Sequence, residues 1–161
     1  MGGAVPESYG DRDTSGRTIL TVTLNPSVDR TVEVPSLKRG GLVRAIGGHV
    51  EAGGKGINVT RALAAHRIPS CAVVAVGGAE GRHLAAMLEA DDIHSVLISV
   101  AEPTRSNISV VEPDGTLTKI NERGAALTEE ELAQIRDGVI SQLPTAAWVV
   151  VAGSVPDGVP D

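Results

Sequence analysis

The chain has 161 residues, a length that suits one α/β domain or part of a larger one. Apolar residues make up 42% and charged residues 21%, a balance typical of a folded chain rather than a disordered one. Fourteen basic residues face 20 acidic ones, giving a net charge of −6. That balance argues against nucleic-acid and membrane partners, because both kinds of binding depend on clustered Lys and Arg.

The amino terminus and the single cysteine indicate the location of the protein and the state of its thiol. Residues 1–17 are rich in Gly, Ser, Asp and Arg and lack a signal peptide's apolar core, so we expect a flexible leader and a cytoplasmic location. No apolar run approaches the ~20 residues that span a bilayer. Cys71 has no partner for a disulfide, and its apolar neighbours predict a reduced, buried thiol. The four histidines lack metal-ligand spacing, so no metal is expected.

The first predicted elements are a strand and a weaker small sheet. The β-branched run 18–24 predicts a strand, and the Asn-Pro pair after it signals a turn. Two shorter extended segments, at about 31–34 and 42–50, are typical of an edge or lid sheet rather than a central one.

Strands then alternate with helices. A helix over 56–66 precedes the strand CAVVAVG, and a helix over 82–90 precedes the strand HSVLISV. This alternation is typical of parallel βαβ units. Aromatic residues make up only 1% of the chain, so the core should be aliphatic, as suits buried parallel strands, with Met87 and Trp148 inside it.

The last third begins with a hairpin. SNISVV and TLTKIN flank a Glu-Pro-Asp-Gly turn, which predicts two antiparallel strands. Thr128 with Glu131 predicts a capping box at the start of a helix, and AAWVVVAGS predicts a final strand that ends near Ser154. Together these elements predict a parallel sheet flanked by helices, with a small sheet, over about 30–50 and 105–121, as a lid.

The segment EAGGKGINVTRALAAH, residues 51–66, carries the strongest chemical signal. Gly53 and Gly54 precede a helix, so a ligand can approach the backbone and the free N–H groups of the helix terminus. Lys55 adds positive charge and Asn58 can bind a hydroxyl, a combination that suits a polyol phosphate. A tight turn before an ordinary helix is the alternative. The segment matches neither a P-loop nor a dinucleotide-binding fingerprint, because positions where those motifs require Gly or Ser/Thr hold other residues.

A second segment, TLNPSVDR, places Asp29 just beyond the first strand. Ligands of open α/β sheets collect at that end of the strands, where a carboxylate can accept hydrogen bonds from two sugar hydroxyls. A turn or helix-capping aspartate is the alternative.

These segments resemble the PfkB, or ribokinase-like, carbohydrate kinases. The order is TLNPSVDRTVEV, RGG, EAGGKGINVTRALAAH, TRSNISVVEPDGTLTKINERG, GAALTEEE and VVVAGSVPDGVP, so the likeness spans 18–161. GGKGIN with TKINERG is most similar to 1-phosphofructokinases and tagatose-6-phosphate kinases, while GAALTEEE is similar to minor 6-phosphofructokinases. The resemblance implies a ribokinase-like α/β fold, present as its amino-terminal portion.

The resemblance also implies roles for individual residues. Asp29 would hold sugar hydroxyls, and Gly53, Gly54 and Asn58 would line the sugar pocket. Lys55 and Arg105 would bind the phosphate that the substrate already carries, since an Arg binds two oxygens at once. Ser154 would face the same cleft, and Arg44 and Asn107 are weaker candidates for pocket residues. Where the family has Gly or Ser after ALAAH, this chain has Arg67, which should adopt a left-handed conformation at a cost of ~1 kcal/mol.

The family's Gly-Ala-Gly-Asp segment does not occur in these residues. Its amides stabilise the transferred phosphoryl group and its aspartate is the base, so we expect no catalytic residue here and negligible kinase activity from the chain alone. The resemblance implies that the whole enzyme uses ATP and Mg²⁺, which should not bind well to this chain alone, and forms a homodimer through the lid sheet. A non-catalytic sugar-phosphate-binding module and an unstable fragment are the alternatives. An oxidoreductase is least favoured.

Overall fold

The structure, a computed structural model, describes residues 17–159; the expected leader, apart from its last residue, lies outside them. In chain order the elements are β1 (Thr18–Thr23), β2 (Ser27–Glu33), β3 (Gly47–Gly53), α1 (Lys55–Ala65), β4 (Ser70–Val76), α2 (Gly78–Ala90), β5 (Ser95–Ser99), β6 (Arg105–Val111), β7 (Leu117–Asn121), α3 (Glu129–Gln142), a 3₁₀ turn (Leu143–Thr145) and β8 (Ala146–Val151). None of the helices in this part of the chain is both long enough and apolar enough to cross a membrane.

Four parallel strands form the base sheet, in the order β5-β4-β1-β8. Strands β1 and β4 lie in the middle and are buried on both faces, as their apolar and β-branched residues predict. Helices α1 and α2 contribute to a core with Ala72 and Val74 of β4, whereas α3 packs near Val73 on the opposite face. The predicted parallel sheet flanked by helices is therefore confirmed.

The lid sheet has the order β3-β2-β6-β7. Strands β2 and β6 run parallel, and the outer strands pair with them antiparallel. Val28 and Ala52 of the lid are fully buried in the core that α2 shares. An ion pair of 3.1 Å between Arg30 and Glu80 also joins β2 to α2. The lid is thus anchored to the base by apolar packing and by a charge pair.

Several element boundaries differ from the predictions. Residues 42–46 are not extended, since β3 begins only at Gly47, and β2 begins before residue 31, at Ser27. Helix α2 begins at Gly78 rather than at residue 82, because Gly77 provides an extended N-cap. The last strand ends at Val151, so Ser154 lies in the loop that follows it.

The prediction that Trp148 is a core residue is wrong. Its side chain is 65% exposed, because β8 is an edge strand whose only neighbour among residues 17–159 is β1. Met87, in contrast, packs against the core as expected. Burial also raises the pKa of the Cys71 thiol, as predicted for an inert cysteine.

Two local predictions are confirmed at helix ends. Arg67 has φ 56°, the left-handed conformation expected where the family has Gly or Ser. Thr128 and Glu131 form the capping box at the start of α3. The backbone N–H groups of Thr128 and Ala101 donate to the Glu131 carboxylate, at 2.8 and 2.7 Å, and lower its pKa.

Candidate functional site

The lid sheet and the base sheet meet at the carboxyl end of β1, where open α/β sheets place their ligands. After β1 the chain crosses directly into β2, and β3 leads directly into α1. The strand register places Ser27 opposite both Gly53 and Arg105. It also places Asp29 opposite Asn107. Residues that are far apart in the sequence therefore converge at this junction.

Asp29 lies within β2, so the turn and helix-capping interpretations are wrong. Its Oδ1 accepts hydrogen bonds from the Ser27 hydroxyl at 2.6 Å and from the Asn107 carboxamide at 2.9 Å. The carboxylate lies against Gly53: an added Cβ there would stand 2.5 Å from the Asp29 Cγ and closer still to Oδ2. The neighbouring carboxylate therefore requires glycine at this position, as the close approach of a ligand also would.

The glycines at the start of α1 fit closely against the end of β1. Gly54 is the N-cap and has φ 136°, and an added Cβ would stand 2.8 Å from Thr23 Cγ2. Gly56 lies directly against Thr23 Oγ1, which is buried and has no hydrogen-bond partner among the described residues. The first bond of the helix runs from the Asn58 N–H to the Gly54 carbonyl, so the preceding amides have no partner within the helix. This terminus can therefore bind an anion or a hydroxyl oxygen.

Lys55 and Ser154 lie on the side of this site nearest to β8. Lys55 is exposed, and its Cβ is 4.0 Å from the place where a Gly153 side chain would begin. The Ser154 hydroxyl accepts a hydrogen bond of 3.1 Å from the Asn25 carboxamide. The structure thus brings both near the end of β1. Asn58 is exposed, and its Oδ1 accepts a 3.0 Å bond from Arg61.

Arg105, the first residue of β6, is held by backbone carbonyls. Its Nη1 donates to the Glu122 carbonyl at 2.9 Å and its Nη2 to the Asn25 carbonyl at 3.3 Å. Its Nε is buried and has no partner among residues 17–159. In this conformation the guanidinium ties together the lid and the loop after β1. Arg44 is exposed in the segment between β2 and β3.

Sequence reasoning did not identify Thr23, Asn25 and Ser27 as site residues. All belong to TLNPSVDR, so position within that motif was the available signal. Their hydroxyl and amide groups are common in turns, and only the strand register reveals what each one contacts.

The comparisons with known proteins agree with this geometry. The model of the pfkB family carbohydrate kinases matches residues 22–161. The chain is 35% identical over 142 residues to the ATP-dependent 6-phosphofructokinase isozyme 2 of Escherichia coli (strain K12), covering 88% of this chain and 46% of that protein. It is 37% identical over 142 residues to the 1-phosphofructokinase of Bacillus subtilis (strain 168), with the same coverage of 88% and 46%.

Solved structures show the same likeness. The phosphofructokinase-2 from Escherichia coli in complex with fructose-6-phosphate aligns with a TM-score of 0.82 at 32% identity, covering 89% of this chain and 48% of that one. A possible 1-phosphofructokinase from Thermotoga maritima aligns with a TM-score of 0.81 at 33% identity, covering 89% and 47%. The chain spans about half the length of these relatives. Because the family model matches most of its residues, the chain belongs to the pfkB family of carbohydrate kinases.

Proposed function

We propose that the whole protein is an ATP-dependent sugar-phosphate kinase that converts fructose 1-phosphate to fructose 1,6-bisphosphate, and that this chain supplies the sugar-binding half. The observation that carries the proposal is the convergence of Asp29, Gly53 and Lys55 beside the free amino terminus of α1. A phosphorylated polyol is recognised by a carboxylate, by backbone that the ligand can approach closely and by a positive charge.

Each group has a distinct role in the proposal. The Asp29 carboxylate accepts hydrogen bonds from sugar hydroxyls, while Gly53 and Gly54 let the sugar approach the backbone. Lys55 and the α1 terminus favour the negative phosphate. Arg105 uses one N–H of Nη1 and one of Nη2 on backbone carbonyls, and its remaining N–H groups can donate to phosphate oxygens. A lid that closes over the cleft would exclude water and prevent ATP hydrolysis.

The described residues do not fit the nucleotide part of the reaction. Residues 17–159 hold no group of three or more His, Cys, Asp or Glu that could bind a metal ion, and Gly-Ala-Gly-Asp does not occur in the sequence. We therefore assign neither ATP nor Mg²⁺ to residues of this chain, and no step of phosphoryl transfer is derived from them.

Fructose 6-phosphate is the second candidate substrate. It is favoured by the alignment with the Escherichia coli phosphofructokinase-2, whose structure was solved with that sugar. Fructose 1-phosphate is placed first because of the resemblance carried by GGKGIN and TKINERG, in which Lys55 stands at the helix start. Tagatose 6-phosphate remains an alternative of the same class, and sugar-phosphate binding without chemistry is the alternative of another class.

The proposal includes a second copy of the chain as partner. Apolar side chains on the lid are exposed, Leu117 by 50% and Ile120 by 57%. The two side chains point to opposite faces of β7, so pairing two lids through the face that carries Ile120 would bury Ile120. The Escherichia coli phosphofructokinase-2 has itself been solved in a tetrameric inhibited form.

Calorimetric titration of the chain with fructose 1-phosphate and fructose 6-phosphate, with and without Mg-ATP, tests the proposal. We expect saturable binding that ATP does not alter, and an affinity reduced at least tenfold in Asp29→Asn. Asp137→Asn, an exposed carboxylate on α3, is the matched control and should bind normally. If no sugar phosphate binds, or if inorganic phosphate binds equally well, this chain is not the sugar-binding half.

A further inference from the structure

Three polar side chains of the lid form a closed triangle beside the candidate sugar site. The Asn107 Nδ2 group donates to the Ser27 hydroxyl at 3.0 Å and to Asp29 Oδ1 at 2.9 Å. The Ser27 hydroxyl closes the triangle with a bond of 2.6 Å to the same Oδ1. Ser27 is 1% exposed, whereas Asp29 and Asn107 are half-buried.

The direction of each bond in the triangle is fixed by chemistry. An ionised carboxylate only accepts, so the Ser27 hydroxyl must donate its single proton to Asp29. Its lone pairs then accept from Asn107. Both donors reach Oδ1, and no group among the described residues donates to Oδ2. One oxygen is saturated and the other keeps its capacity for ligand hydroxyls.

The orientation of Asn107 shows what this side chain favours. Its Oδ1 is buried and has no hydrogen-bond partner among residues 17–159, which is costly for a polar atom. Rotating the carboxamide by half a turn would instead direct its oxygen at the Asp29 carboxylate and remove both donated bonds. The contact with Asp29 therefore outweighs the unpaired oxygen.

We propose that Asn107 and Ser27 are positioning residues that hold the Asp29 carboxylate in one rotamer, with Oδ2 presented to a sugar hydroxyl. This inference rests on the proposed function, because it assumes that Asp29 receives the sugar. It assigns to Asn107 an action through Asp29 rather than a contact with the sugar. Asp29 and both positioning residues lie on the paired lid strands β2 and β6, so the carboxylate and its supports belong to one sheet.

The test combines a rotamer measurement with a double-mutant cycle on the full chain. Three-bond Hα–Hβ couplings of Asp29 report its χ1 rotamer without any ligand, in wild type and in Ser27→Ala/Asn107→Ala. Calorimetry with fructose 1-phosphate is done on Asp29→Asn, on Asn107→Ala and on the variant carrying both. Asn121→Ala is the control, since Asn121 is exposed and lies opposite Asn107 in the lid.

We expect one Asp29 rotamer in wild type and averaging in the double variant. Asn107→Ala should weaken binding about tenfold, as for the loss of one hydrogen bond to a charged group, but less than twofold when Asp29 is already Asn. Asn121→Ala should change neither measurement. The inference is overturned if Asp29 keeps its rotamer without both donors, or if Asn107→Ala costs the same factor in both backgrounds. If wild type binds no sugar phosphate, the proposed function fails, while the couplings still decide whether the two residues position Asp29.

Discussion

Gly53→Ala should destabilise the chain although alanine suits the backbone there. The φ of Gly53 lies outside the left-handed region, so no backbone strain arises. The added Cβ would instead stand 2.5 Å from Asp29 Cγ, well inside van der Waals contact. The carboxylate cannot move away freely, because the 2.6 and 2.9 Å bonds from Ser27 and Asn107 fix its position.

The expected cost follows from what the displaced carboxylate loses. A hydrogen bond to a charged group contributes roughly 1.5–3 kcal/mol, so losing one of the two should lower the free energy of unfolding by about 2 kcal/mol. The same displacement should weaken binding of fructose 1-phosphate about tenfold, the factor expected for Asn107→Ala, because each change removes one hydrogen bond that positions the Asp29 carboxylate. Urea unfolding and calorimetry measure the two effects separately.

Gly41→Ala is the matched control for this substitution. Gly41 lies in an exposed loop, its φ is not left-handed, and an added Cβ would meet nothing nearer than 3.6 Å. Asp29→Gly/Gly53→Ala removes the clash together with the carboxylate and should recover stability relative to the sum of the two single changes. If Gly53→Ala is as stable as Gly41→Ala and binds the sugar normally, Gly53 and Asp29 do not approach each other closely and the reasoning is refuted.

Three other outcomes are expected. The Thr128 and Ala101 amides lower the pKa of Glu131, so the carboxylate stabilises the fold above its ordinary pKa and this stabilisation is lost as the pH falls through the lowered pKa. Glu131→Gln should therefore lower the free energy of unfolding by about 1 kcal/mol at pH 7 and by less in acid, as measured by urea unfolding at both pH values. Ile120→Lys should give monomers in light scattering, whereas Leu143→Lys, at an exposed apolar site outside the lid (44% exposed, against 57% for Ile120), should leave the dimer intact; a dimer mass for both variants would refute the lid interface. In a coupled assay with Mg-ATP and fructose 1-phosphate the chain alone should show negligible turnover, and a rate near 1 s⁻¹ would contradict that expectation.

The sequence predicted the base sheet and its helices well because their signals are local. β-Branched runs, helical spacing and the Thr128 capping box each depend on neighbouring residues. The left-handed Arg67, in contrast, followed from the family resemblance, which has Gly or Ser at that position. The burial of Trp148 was predicted wrongly, because an apolar strand pattern does not reveal whether a strand is central or at an edge.

The sequence predicted which residues form the candidate site better than it predicted the contacts between them. The motif position of Asp29 indicated a ligand-facing carboxylate, while its bonds to Ser27 and Asn107 depend on the pairing of β2 with β6. That pairing joins segments almost eighty residues apart, with β4 and β5 between them in the sequence. No local pattern encodes such a register, because it depends on pairing between strands that are distant in the sequence.

Arg105 shows how the same register alters the interpretation of a residue. The family resemblance implies that Arg105 binds a phosphate, yet here two backbone carbonyls accept hydrogen bonds from its terminal nitrogens. Hydrogen bonds to neutral carbonyls are weaker than bidentate bonds to phosphate, so a bound sugar phosphate can compete for the guanidinium. A guanidinium has five N–H donors, and the two carbonyls engage Nη1 and Nη2 once each, so Arg105 can bind a phosphate while it still joins the Asn25 loop to the lid.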